Sequence, residues 1–280
     1  MSRGKRSLII ALLVLFFAAV SVVFLFPLYY LLLASFKPSS DLFRYGLDLR
    51  LNFAGMSLDN YRLLFTDNRG VYFHWYKNSI LITLFGTVAS LFVSSLVGYG
   101  LGAYQFRGRN LVFLLVLFVM MVPIEILMLP LYKLTVAMKI INTYSGVVLP
   151  FLVSPIAVFF FRQFVLGLPK DFMDAGRIDG CTEFGVYFRI MAPMMKPAFA
   201  AMTILLSVQN WNAFIWPLIV LRTNEMFTLP IGLSAMLTPY GNNYDKLIPG
   251  AVLAIIPVVI VFLFNQRAFI SGLTAGGIKG

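Results

Sequence analysis

Residues 8–36 read LIIALLVLFFAAVSVVFLFPLYYLLLASF, an unbroken run without one charged side chain. A helix rises about 1.5 Å per residue, so about 20 apolar residues cross a hydrocarbon core about 30 Å thick. This run, Leu8–Phe36, is longer than that. In lipid every backbone amide must find its partner within its own segment, so the run is predicted to be helix. Five further blocks of the same kind follow, roughly Trp75–Tyr104, Leu111–Leu134, Tyr144–Leu166, Ala198–Leu221 and Leu247–Phe269. None alternates polar and apolar residues over about ten positions, as a barrel strand does. The expected fold class is all-α: a polytopic membrane protein whose six transmembrane helices form a single domain over residues 1–280.

Composition agrees. The chain is 60% hydrophobic and 12% charged, against about 25% charged in soluble domains. Burial cannot account for that excess, because a soluble domain must cover its surface with polar groups. A single cysteine, Cys181, excludes an intramolecular disulfide framework. Arg3, Lys5 and Arg6 precede the first block as they would in a signal peptide. The apolar run far exceeds a signal's core and no clear cleavage site interrupts it, so it is expected to be retained.

Basic residues in short loops mark the cytoplasmic side. They cluster at the N-terminus, at Arg107 and Arg109 after the second block, and at Lys170, Arg177, Arg189 and Lys196 between the fourth and fifth. The other short connections carry only Lys139, and Arg222 with Lys246. Both termini are therefore expected in the cytoplasm. The first external loop, roughly Lys37–His74, strains this rule: it carries Arg44, Arg50, Arg62 and Arg69 beside Asp41, Asp48, Asp59 and Asp67. The net charge of +11 is spread over many loops, which suits topology and lipid headgroups rather than nucleic acid.

Within the blocks, Pro27, Pro123, Pro130, Pro150, Pro155, Pro217 and Pro257 are predicted to kink or break helices. Gly98 and Gly102 share a helix face, where small residues let two helices approach closely. Glu125 lies between Pro123 and Pro130 with no base nearby in sequence. An acid at membrane depth is costly, so Glu125 either lines a wet cavity or sits near the external headgroups after the Pro123 break. Gln209, Asn210, Trp211, Asn212 and Trp216 combine planar amides with aromatic faces, the chemistry that holds sugars. The alternative is that these side chains tie helix to helix. His74, the only histidine, falls at a membrane edge.

No catalytic signature is present: no GxxxxGK phosphate loop, no HExxH, no nucleophile elbow. One His and one Cys make no zinc site. The chain is not expected to be an enzyme or to bind a cofactor or metal itself.

The loop between the fourth and fifth blocks reads LPKDFMDAGRIDGCTEFGVYFRIMAP over residues 168–193. Pro169 suits the first turn of a new helix. Residues 170–178 are predicted to form a short amphipathic helix with Phe172, Ala175 and Ile178 near one face. Gly180 is placed to end it in a left-handed conformation, and Thr182 to cap a second helix that ends before Pro193. Apolar side chains on so short a helix form a docking element for a soluble partner.

Here the residues resemble a family. Ala175, Asp179, Gly180, Ile190 and Pro193 stand at the spacing of the EAA motif of ATP-binding-cassette importer permeases. Asp174, Gly176, Cys181 and Ala192 depart from its usual residues. Phe26-Pro27, Ser35 to Pro38, Asn78-Ser79, Trp211-Asn212, Trp216-Pro217 and the tail from Gly272 to Gly280 are similar to carbohydrate permeases of the MalG type. The segments Met226–Gly232 and Pro239–Asp245 most resemble the branch importing arabino-oligosaccharides in Gram-positive bacteria, with sister importers of other plant-wall oligosaccharides as the alternative.

The resemblance implies the type I importer permease fold in a bacterial inner membrane and alternating access. It implies a second, related permease as heterodimer partner, two ATPase subunits carrying ATP and Mg, and an extracellular sugar-binding protein. Phe172, Asp174, Ala175, Gly176, Asp179, Gly180 and Pro193 would couple to an ATPase, in a loop over 168–197. Met236, Thr238, Tyr240 and Asn242, in the external loop 222–246, would reach the binding protein, and the tail after Phe269 the ATPases. The rivals are an ion-driven secondary transporter using Glu125, which usually shows an internal repeat absent here, and a membrane scaffold whose loop recruits a signalling protein.

Overall fold

The computed structural model describes residues 3–40, 56–237 and 243–277, with side chains over 7–40, 56–67, 69–237 and 243–266. Asp41, Arg44, Asp48 and Arg50, the candidates Thr238, Tyr240 and Asn242, and the side chains of the tail lie outside the described residues. Among the described residues all regular structure is helical. The chain divides into two compact units, Met1–Tyr72 with Leu233–Ile255, and Phe73–Gly232 with Ile256–Gly280.

In the first unit, α1 (Arg3–Ala34) runs through Pro27 as one helix. The turn that follows it is held by α2 (Asp59–Thr66). Asn60 Nδ2 donates to Ser35 O at 3.1 Å and to Lys37 O at 2.9 Å, both just beyond the end of α1. Ser35 Oγ and Tyr61 OH are hydrogen-bonded at 2.8 Å. Tyr72 donates its hydroxyl to Gly250 O at 3.0 Å, Lys246 pairs with Asp67, and Asp245 Oδ1 accepts from Ser39 N at 2.7 Å.

In the second unit the spine is α3 (Val71–Ala103). It lies against α7 (Pro155–Leu166), and the two pack where the glycine spacing predicts. A Cβ on Gly98 would stand 2.6 Å from Phe161 Cβ, and one on Gly102 2.9 Å from Val165 Cγ1, whereas Gly100 faces open space. At the opposite end of α3, Asn78 Nδ2 donates to Glu225 O and Phe227 O at 2.7 and 2.9 Å, and Ser79 Oγ accepts from Leu229 N at 2.7 Å. Those bonds seat the start of α12 (Leu229–Ala235) and give the Asn78-Ser79 pair a structural reason. Among the described residues one apolar core forms around Phe161, Met191 and Met195, and another around Ile82, Trp216 and Val220.

Among the described residues, three helices are long and apolar enough to cross a membrane: Ser7–Ala34, Val71–Ala103, and Tyr244–Gln266 within α13 (Tyr244–Gly277). Three bent pairs raise the number to six if each is one span. The third block, expected as one helix over 111–134, is α4 (Arg109–Met121) and α5 (Ile124–Ala137), bent by 103°. Pro123 forces the residue before it out of helical space, and Val122 is extended at φ −81°, ψ 120°. The fourth is α6 (Tyr144–Val148), a 3-10 turn and α7, bent by 44°. Ser154 caps α7 by accepting from Ala157 N, and its own N–H donates to Ser94 Oγ on α3 at 3.0 Å. The fifth block is interrupted at Asn212–Phe214 between α10 (Lys196–Trp211) and α11 (Ile215–Val220).

Candidate functional site: the 168–197 loop and its seat on the spans

The loop folds as two helices, α8 (Asp171–Ile178) and α9 (Glu183–Met194), with a turn between them. The turn works as its sequence requires. Gly180 adopts φ +78°, and Cys181 N donates to Gly176 O at 2.9 Å, closing the end of α8. Thr182 Oγ1 accepts from Gly185 N at 3.1 Å and caps α9.

Two details differ from expectation. Pro193 does not stop the second helix but lies inside it, after a wide π-helical stretch, Val186–Met191. Such a turn shifts the bonding ladder from i−4 to i−5, which eases entry of a residue that has no N–H to give. Gly176, a departure from the usual motif residue, also has a packing role: a Cβ there would come 2.5 Å from Ile190 Cδ1 and 3.3 Å from Val186 Cγ2. Its missing side chain is what lets α8 lie on α9.

The loop has two faces. Met173 (4% exposed) joins the core with Val186, Tyr187 and Met191, and through it meets Tyr99 of α3, Phe161 of α7 and Ala198 of α10. Phe172, Asp174, Ala175, Ile178 and Asp179 are exposed. Ile178 is 86% exposed and Phe184 71%.

A polar clasp, absent from the expectations, joins the loop to the end of α3. Arg177 grips Glu183 from Nε and Nη2 at 2.9 and 3.2 Å, and Asp174 from Nη1 at 3.0 Å. Glu183 Oε2 also accepts from Tyr104 OH at 2.5 Å. Tyr104 stands 3.3 Å from Tyr99 OH, and Tyr187 OH is bonded to Ser95 Oγ at 2.7 Å. The Arg177 guanidinium, then the Tyr104 hydroxyl, hold the Glu183 carboxyl below the usual carboxylate range. Beside the clasp opens a cleft of about 390 Å³ lined by Tyr99, Tyr104, Glu183, Phe184 and Tyr187. The one legible signal was the acid three residues after Gly180, with nothing to name its partner.

The residues expected along a sugar path are not gathered into one cluster. Trp211 (6% exposed) meets Tyr76 edge-on at 5.8 Å, and Trp216 (5%) donates Nε1 to Gly146 O at 3.2 Å. Their ring faces lie in packing contacts. Asn210 Nδ2 donates to Thr87 Oγ1 at 3.1 Å, tying α10 to α3. Asn212 Nδ2 donates to Val208 O at 3.0 Å. Gln209 and Asn212 are exposed, and so is Glu125, which occupies the first turn of α5 directly after the 103° bend. A helix N-terminus favours an acid there. Met236 is half-buried at the end of α12. No cluster of metal-ligating side chains occurs among the described residues.

Residues 94–271 match the family described as "Binding-protein-dependent transport system inner membrane component". The chain is 62% identical over 268 residues to the arabinooligosaccharides transport system permease protein AraQ of Bacillus subtilis, covering 96% of this chain and 95% of that one. It is 54% identical over 280 residues to AraQ of Halalkalibacterium halodurans, covering 100% of both. A crystal structure of a bacterial ABC transporter involved in the import of the acidic polysaccharide alginate contains a similar chain, with a TM-score of 0.80, 22% identity, and 96% and 99% of the two chains covered. That last likeness is one of fold.

Proposed function

This chain belongs to the family of binding-protein-dependent transport system inner membrane components, and from that premise we propose that it imports arabino-oligosaccharides as one permease of an ATP-driven transporter. It is a multi-pass inner-membrane subunit and not an enzyme. The family's importers work with ATPase and binding-protein partners, and family membership sets aside the ion-driven reading through Glu125 and the scaffold reading of the loop. The cargo rests on one observation: the likeness to two arabino-oligosaccharide permeases runs through almost the whole chain.

In this reading a second, related permease completes the pathway, two ATPase subunits carry the ATP and Mg, and both termini are cytoplasmic. The exposed face of α8 with Phe172, Ala175 and Ile178 meets the ATPase, with Asp174, Asp179 and Gly180 at its edge. The opposite face is supported by Met173 and Gly176, whose packing on α9 joins the core shared by α3, α7 and α10. A push on α8 is thereby carried into the spans rather than absorbed in a loose loop. Gln209, Asn212 and Glu125 keep exposed polar groups for the path, while Asn210, Trp211 and Trp216 hold its walls. Met236 and the loop that follows it reach the binding protein.

The test is uptake of labelled arabino-oligosaccharides and maltodextrins into proteoliposomes holding the chain with its co-purified partners and binding protein. ATP-dependent uptake of the arabino-oligosaccharides alone is the expected result. Uptake of maltodextrins instead would overturn the cargo, and uptake driven by an ion gradient without ATP would overturn the mechanism.

A further inference from the structure

Arg162 stands on α7 four residues before the helix ends at Leu166, about 6 Å along the axis at 1.5 Å per residue. Its guanidinium lies over the ring of Phe113 on α4, with Cζ 3.7 Å from the centroid. Phe113 in turn stacks on Phe159 at 6.1 Å. Arg162 Nε is buried and has no hydrogen-bond partner among the described residues. A stranded donor on a charged group is costly where water is scarce.

No carboxylate among the described residues answers it. The neighbouring charge that acts on Arg162 is another cation, Arg109. Arg109 is the first residue of α4, one turn before Phe113 and so on the same face. Its own Nη1 reaches Tyr104 O at 3.2 Å, a neutral acceptor. The α4 N-terminus carries no side-chain cap, and such an end attracts negative charge. Arg107 is exposed two residues upstream. Two guanidiniums from different helices, a stranded donor and an uncapped helix end therefore lie together where no carboxylate among the described residues pairs with them.

We propose that Arg162 and Arg109 form a phosphate-binding site whose ligand in the membrane is the headgroup of an anionic phospholipid. The planar fork of arginine matches two phosphate oxygens. Phe113 covers one face of that fork by cation–π contact, and a phosphate would bind in its plane. The site also lies at the right depth. The turn before Arg109 follows a span, and Arg162 stands little more than one helical turn from the end of α7, which places both near one headgroup layer. Basic pockets between membrane helices hold acidic headgroups in this way. The proposal rests on the membrane fold alone and is independent of the cargo.

Native mass spectrometry of the detergent-purified transporter, with its partner subunits, tests it against phosphatidylglycerol, phosphatidylethanolamine and phosphatidylcholine. The expected result is retention of phosphatidylglycerol about 10-fold above phosphatidylcholine, a preference that about 1.4 kcal/mol produces. Arg109→Gln with Arg162→Gln should abolish that preference. Arg162→Lys keeps the charge but not the fork, and should lower the preference even if the double variant fails to assemble. Equal retention of the three lipids, or an unchanged preference in Arg162→Lys, overturns the site. Displacement of the lipid by an equal concentration of inorganic phosphate assigns it to a soluble anion and overturns the lipid. A preference seen in the isolated chain but lost in the assembled transporter overturns it in favour of a partner's carboxylate.

Discussion

Glu183 Oε2 accepts a hydrogen bond from Tyr104 OH at 2.5 Å, and the same carboxylate is held by the Arg177 fork. Tyr104 follows directly on α3 and Arg177 lies on α8, so one acid joins the 168–197 loop to a membrane span. The contact is exposed, and exposed ion pairs stabilise little on their own. Its value lies in geometry: it limits how far α8 can turn relative to α3. Glu183→Gln should leave assembly and basal ATPase activity intact while sugar-stimulated ATPase activity and uptake fall several-fold. Uptake equal to that of the unmodified transporter would remove the clasp from the coupling path.

The same carboxyl predicts a pH dependence. Its folded-state pKa is depressed, chiefly by Arg177. Stability from such a group is fully present above the unfolded pKa, about 4.3, and is lost as pH falls through the lower folded value. Any melting-temperature difference between the unmodified chain and Glu183→Gln should therefore stay constant from pH 8 to about 5 and close only below about 4. A difference that closes near neutrality would assign the effect to another group.

Gly180 ends α8 at φ +78° with open space where a Cβ would be. Strain, not collision, is therefore the cost of replacing it. Gly180→Ala should destabilise the turn by about 1–2 kcal/mol and weaken ATPase co-purification. Gly180→Asn, which tolerates the left-handed region, should retain most of it. Equal behaviour of the two would show that the conformation is unimportant. Gly180→Trp should also uncouple ATPase activity from transport, through bulk on the docking surface.

Gly98 and Gly100 make a matched pair on one helix. Gly98→Ala places a methyl 2.6 Å from Phe161 Cβ and 2.9 Å from Val158 O, and overpacking of that kind costs about 1–3 kcal/mol. Gly100→Ala meets nothing within 4 Å and should be neutral, or stabilising by up to about 1 kcal/mol through helix propensity. Thermal unfolding of the two variants in detergent, side by side, distinguishes them.

Asn210→Ala should cost about 1 kcal/mol, because Thr87 Oγ1 loses its partner. Gln209→Ala, at an exposed position, should leave the melting temperature unchanged and slow uptake. Glu125→Gln should likewise assemble normally and slow uptake; an unchanged rate would leave Glu125 only its place in the first turn of α5. Melting and uptake measured on the same preparations separate wall from path.

The helical class, the apolar spans and the two-helix loop were legible in the residues because each depends on near neighbours along the chain. Block length decides whether lipid can be crossed, and the 98/102 spacing decides which face is small. Gly180 among polar residues decides a left-handed turn. Proline positions showed where helices are weak but not how far they bend, since the 103° at Val122–Pro123 depends on what the two halves pack against. Trp211 and Trp216 look the same in sequence whether their faces are presented or buried. Only folding brought Tyr104 to Glu183 and Arg162 to Phe113, because no periodic pattern records a contact between residues far apart in the chain. The amino-acid order determined what each segment is; packing decided which side chains remain free to act.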